Sequence, residues 1–138
     1  MMIGICTWNN LVAPVFDVSG TILLVQTSPG RKEILEQEDI SVCDNLDKIR
    51  RLTSMNIELL VCGAVSRLWH DILTACGIQV ISYIVGPWDR VLQALDEDRL
   101  ESPEFRMPGC PPYMQTRNRE AINKVAAGKK NMDAAIFS

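Results

Sequence analysis

The chain has 138 residues, 47% of them hydrophobic, which suits one globular domain with a real core. Its net charge of −3 argues against nucleic acid as the main partner, because phosphate binding wants a basic surface. No apolar run reaches the ~18 residues of a membrane span. The opening MMIGICTWNN also lacks the basic start and long apolar stretch of a signal peptide.

The five cysteines, Cys6, Cys43, Cys62, Cys76 and Cys110, are odd in number, scattered and never in a CxxC pair. That pattern predicts reduced thiols in a cytoplasmic protein. Charge is unevenly spread. Residues 111–138 hold five Lys/Arg and two Asp/Glu, and the remainder holds nine and fifteen. The reading is therefore an α/β domain over residues 1–101. A proline-containing connector and a basic C-terminal tail over 102–138 follow it, with a short helix at 117–127.

In chain order, Met2–Thr7 is a short apolar run that predicts a buried strand ending at the turn signal Trp8-Asn9-Asn10. Leu11–Asp17 contains a proline and reads as a loop grazing the core. Gly20–Gln26 and Arg31–Gln37 flank Ser28-Pro29-Gly30 and predict an antiparallel hairpin. Ser41 and Asp44 have the spacing of a capping box, opening a helix whose apolar face is Val42, Leu46, Ile49 and Leu52, with Asn56 as its stop. Ile57–Cys62 and Ile78–Val85 predict two further buried strands. Gly63-Ala64 after the first of these leads into a helix carrying Val65, Leu68, Trp69, Ile72 and Leu73, with Gly77 as its stop. Gly86-Pro87 after the second leads into a helix carrying Trp88, Val91, Leu92 and Leu95, with proline at its first position. The string is β-β-β-α-β-α-β-α, the last strands parallel and strand 1 central.

In such a sheet, ligands bind beyond the carboxyl ends of the parallel strands. Three connections converge there: Thr7–Phe16, Gly63–Ser66 and Gly86–Trp88. Two lead into helix N-termini, whose unpaired N–H groups favour an anion. Cys6 and Cys62 end neighbouring strands and are either soft metal ligands or small buried residues. His70, the lone histidine, reads as a solvated helix residue beside Ser66, Arg67, Asp71 and Thr74. No P-loop, HExxH or GxSxG is present, and no triad has supporting partners. A two-metal nuclease site would need several converging carboxylates, where only Asp17 and the misplaced Glu58 offer themselves.

The stretches VAPVFD (Val12–Asp17), LLVCGAVSR (Leu59–Arg67), IVGPWDRVLQAL (Ile84–Leu95) and FRMPGC (Phe105–Cys110), in this order and spacing, resemble the dinitrogenase iron-molybdenum cofactor biosynthesis family. The resemblance covers residues 1–110. It implies a three-layer α/β/α ribonuclease H-like fold with a mixed five-stranded sheet. It also implies non-catalytic binding or carriage of an iron–sulfur or molybdenum-containing cluster or its precursor, with cofactor-assembly proteins as partners. The candidate cofactor-binding residues on the three connections are Thr7, Asn9, Pro14, Val15, Phe16, Gly63, Ala64, Val65, Gly86 and Pro87, and the candidate metal ligands are Cys6 and Cys62 at the strand ends and Cys110, which the resemblance adds. Val15 stands where many members carry a histidine, which favours the alternative of a non-metal protein-interaction or regulatory module on the same fold.

Overall fold

The computed structural model describes residues 1–28, 31–41 and 44–137, the last eleven of these as backbone only. The expected turn residues Pro29 and Gly30, and Val42 and Cys43 ahead of the first helix, lie outside the described residues.

Strand β1 (Met2–Trp8) is apolar on both faces, five consecutive residues being buried, as a central strand requires. It turns through Asn9, which has φ +55°, into the two-residue strand β2 (Leu11–Val12). A two-residue hairpin turn needs positive φ, and asparagine tolerates it. The segment expected to be only a loop therefore pairs with β1. Then follow β3 (Thr21–Ser28), β4 (Arg31–Asp39), α1 (Asn45–Ser54), β5 (Leu59–Val61), α2 (Arg67–Ala75), β6 (Gln79–Ile81), α3 (Trp88–Asp96) and α4 (Pro112–Phe137).

The sheet runs β4-β3-β1-β5-β6, with β2 paired to β1 on the side. β3 is antiparallel to β1 and β4, whereas β5 and β6 run parallel to β1. Helices cover both faces. One core joins Ile5, Val61 and Ile81 to Leu92 and Leu95 of α3 and Ile122 of α4. The other joins Leu24, Leu60 and Val80 to Ile49 and Leu52 of α1 and Leu73 of α2. This is the expected three-layer α/β/α arrangement with strand 1 central. The sheet has six strands rather than five because β2 joins it.

Four local details differ from the sequence reading. Asp44, not Ser41, caps α1, its carboxylate accepting from Asp47 N–H at 2.9 Å. Ser41 instead donates its N–H and hydroxyl to Asp39. Leu46 and Leu68 are exposed, and Lys48 is buried in Leu46's place. Pro87 caps α3 from outside, one residue earlier than expected.

The largest difference is at the C-terminal end. The expected short helix at 117–127 is the middle of a 26-residue helix. Packing crosses residue 101, since Phe105, Cys110, Met114, Ala121, Ile122 and Val125 are all buried in the two cores. Met114 reaches one core and Ile122 the other, so α4 wraps the open edge of β6. Between them, Asn118 accepts from Ser82 N–H at 3.0 Å and donates to Ser82 C=O at 2.8 Å. Its amide thus takes the place of a further strand, satisfying an edge that would otherwise be exposed.

Candidate functional site

The three loops expected to form a cleft do converge, and they fasten to one another. Ala64 N–H donates to Pro14 C=O at 2.8 Å, and Phe16 N–H donates to Ala64 C=O at 2.9 Å. Val12 N–H donates to Gly86 C=O at 2.9 Å, and Trp88 N–H donates to Asn10 C=O at 3.1 Å. Gly63 is the crossing point, since a Cβ there would lie 2.3 Å from the carbonyl oxygens of both Ala13 and Pro14. No side chain fits. Gly63 serves a close approach of two backbones here, and the first loop occupies the space above it.

This zipper fixes the expected binding residues. Thr7 and Val65 are buried, and Phe16 is fully buried with its ring in the core. Lys48 Nζ donates to the carbonyls of Phe16 and Asp17 at 3.0 and 2.8 Å and sits 5.5 Å from the Phe16 ring centroid. A buried ammonium is tolerated only with such partners, so Lys48 positions the first loop. Asn9, Pro14 and Val15 are exposed, and Ala64, Gly86 and Pro87 are partly so.

Cys6 and Cys62 are neighbours, as expected from the β1–β5 pairing, but both are completely buried in the core beneath the loops. Burial pushes the Cys6 thiol up to about 11, and burial together with Cys6 holds Cys62 well above the ordinary thiol range. Buried protonated thiols are poor metal ligands. Among the described residues, no three His, Cys, Asp or Glu side chains are grouped to hold a metal ion. Thiolate ligation does not fit these residues.

The polar chemistry lies one step further along the same sheet edge, where α2 and α4 begin. Ser66 caps α2, accepting from Trp69 N–H at 3.3 Å. The first residue of α2, Arg67, places its guanidinium 5.4 Å from the ring centroid of Tyr113, and Arg117 stands 5.8 Å from the same ring. Both cations lie within reach of one aromatic ring, whose quadrupole attracts them. Arg117 donates to Asp71 at 2.6 Å and lies 3.0 Å from His70 Nδ1. Arg67 has no carboxylate partner among the described residues.

His70 is therefore not solvated. It is 5% exposed, wedged between α2 and α4, and its Nε2 has no hydrogen-bond partner. A guanidinium can only donate, so Nδ1 accepts and Nε2 carries the proton. Burial first, then Arg117, depress its pKa, with Asp71 acting in the opposite sense. Tyr83 lies just past β6 with φ +57°, a costly conformation for an aromatic residue. It is kept there by Tyr83 N–H donating to Gly63 C=O at 2.9 Å and by Met107 N–H donating to its carbonyl at 2.8 Å. Sequence reasoning passed over Arg67, Tyr83, Tyr113 and Arg117. The one signal for the last two was their spacing of a single helical turn.

No family model and no curated protein matches the chain. Solved structures do. A provisionally assigned NifB protein from Thermotoga is 21% identical, with a TM-score of 0.54 over 71% of this chain and 89% of that one. A provisionally assigned dinitrogenase from Methanocaldococcus jannaschii is 15% identical, with a TM-score of 0.58 over 80% and 97%. The apo form of the orange protein from Desulfovibrio gigas is 18% identical, with a TM-score of 0.57 over 80% and 94%. The chain shares their fold. At these identities the likeness concerns architecture alone.

Proposed function

We propose that the protein binds and carries, without catalysis, an anionic metal–sulfur cluster or metallocofactor precursor, held by charge and hydrogen bonds rather than by cysteine. The observation that carries this reading is the Arg67–Tyr113–Arg117 stack at the N-terminus of α2. A helix N-terminus favours an anion, and Arg67 adds a guanidinium with no neutralising carboxylate among the described residues. The fold shared with nitrogenase-related proteins supports the class of cargo. The arrangement suits a carrier, because a cargo held without covalent bonds can be released intact to an assembly partner. The test is metal and sulfide analysis of protein isolated without oxygen from its own cells. Stoichiometric metal with sulfide is expected, and protein repeatedly free of both would overturn the proposal.

A second reading, a protein-interaction module that has lost its ligand, has its own observation. Trp8 at the end of β1, Val18 just after the first loop and Leu68 on α2 are 61%, 80% and 63% exposed. Large exposed apolar side chains around a closed loop zipper suit a protein partner. On that reading the isolated chain takes up no cluster.

A further inference from the structure

A second, separate site lies on the other side of Tyr83. The segment after α3 returns past β6 before α4 begins, and leaves a cavity of about 100 Å³ between them. Its floor is apolar, formed by Ile81, Ile84 and Ile122. Its polar groups are Arg106, Cys110, Gln115 and, at the rim, Arg119 with Glu101. Asn118 also lines it, but its amide is spent on Ser82.

The charges leave one cation over. Glu101 is paired to Arg119 at 3.6 Å. The Cys110 thiol donates to Pro111 C=O at 3.8 Å, and burial holds it protonated against the pull of Arg106. Arg106 and Cys110 both line the cavity. Arg106 itself has no ion-pair or hydrogen-bond partner for its side chain among the described residues. Gln115 is fixed by its Nε2 donating to Cys110 C=O at 3.1 Å, so its amide is set at the cavity wall. With Glu101 taken by Arg119, an unpaired guanidinium in the lining of a cavity with apolar walls is the recognition chemistry for an oxygen-bearing anion. The volume limits the ligand to about the size of benzene or less.

We propose that this cavity binds a small monoanion that presents oxygen atoms to Arg106, either an inorganic oxyanion or a short carboxylate. The anion's oxygens take the Arg106 fork, and any apolar remainder meets the isoleucine floor. The site is independent of the cargo surface, which lies on Arg67 and Tyr113.

The test is an NMR titration of the full chain at constant ionic strength, once with inorganic phosphate and once with acetate. Saturable shifts are expected at the side-chain amide of Gln115 and the Nε–H of Arg106. In Arg106→Gln, whose side chain is exposed and whose spectrum should otherwise be that of the folded protein, affinity should fall at least about tenfold. Arg67→Gln should titrate like the unaltered chain. A response to phosphate alone identifies an inorganic oxyanion, and a response to acetate alone identifies a carboxylate. No saturable shift with either anion, or equal affinity in Arg106→Gln, would overturn the proposal.

Discussion

Gly63 ties the fold to the site through a single missing atom. The carbonyls of Ala13 and Pro14 pass 2.3 Å from where its Cβ would be, and both belong to backbone that cannot swing aside. Gly63→Ala should therefore cost ~3 kcal/mol or more, seen as a large drop in denaturant midpoint. A stability close to that of the unaltered chain would mean the loops are not packed as described. His70 makes a pH prediction. Its folded pKa lies below the unfolded value of about 6.5. The unfolded chain then binds the extra proton, so stability is full above about pH 6.5 and falls as the pH drops toward the depressed folded value. His70→Gln should flatten that acid loss in melting temperature against pH. Cys6 acts at the other end, with a thiol raised to about 11. Its contribution is present below the unfolded thiol pKa of about 9 and is lost as the pH rises toward 11, a loss that Cys6→Ala should reduce. Of these residues, the sequence pointed to Gly63 and Cys6 because small residues at strand ends have a restricted meaning. It misled on His70, whose polar neighbours at helical spacing describe α2 alone and not the helix lying across it.

At the scale of elements, α4 is where the sequence was least legible. Its composition is basic, and it opens on Pro112 directly after Pro111. Yet Met114, Asn118, Ala121, Ile122 and Val125 recur at helical spacing and are the residues that face the body of the protein. The stripe is thin because its middle member is polar. Asn118 belongs there only because a strand edge waits beneath it, which no local pattern can reveal. Asn118→Ala should leave Ser82 N–H and C=O unpaired and cost about 2 kcal/mol in chemical denaturation. Asn118→Asp should also fail, since a carboxylate cannot donate to the Ser82 carbonyl. Ending the chain after Cys110 should expose the apolar edge and prevent recovery of folded protein. A tail merely appended to a complete domain would predict no such effect. The strands themselves were legible. β1, β3, β5 and β6 carry apolar runs that only a sheet covered on both faces can bury, and their order follows from the tight connections between them.

For the whole molecule, the acidic body of the sequence and its basic C-terminal segment are folded together, and α4 brings Tyr113 and Arg117 to Arg67 of α2. The three loops expected to form a cleft at the carboxyl edge of the sheet do converge, but the first loop occupies the space above Gly63, and the polar cluster of Arg67, Tyr113 and Arg117 lies at the start of α2 and α4. Sequence motifs could locate the loops, because glycine and proline mark them. They could not foresee the zipper, which is made of backbone hydrogen bonds that any residue can supply. On the proposed function, an anionic cluster is held by guanidinium and helix N-terminus, with the cysteines as core residues. The most direct measurement is an anaerobic titration with tetrathiomolybdate, followed by its visible absorbance, on the unaltered chain, Arg67→Gln and Cys62→Ala. Saturable binding is expected that weakens about tenfold or more in Arg67→Gln and is unchanged in Cys62→Ala. Binding lost in Cys62→Ala but retained in Arg67→Gln, or no binding by the unaltered chain, would contradict it.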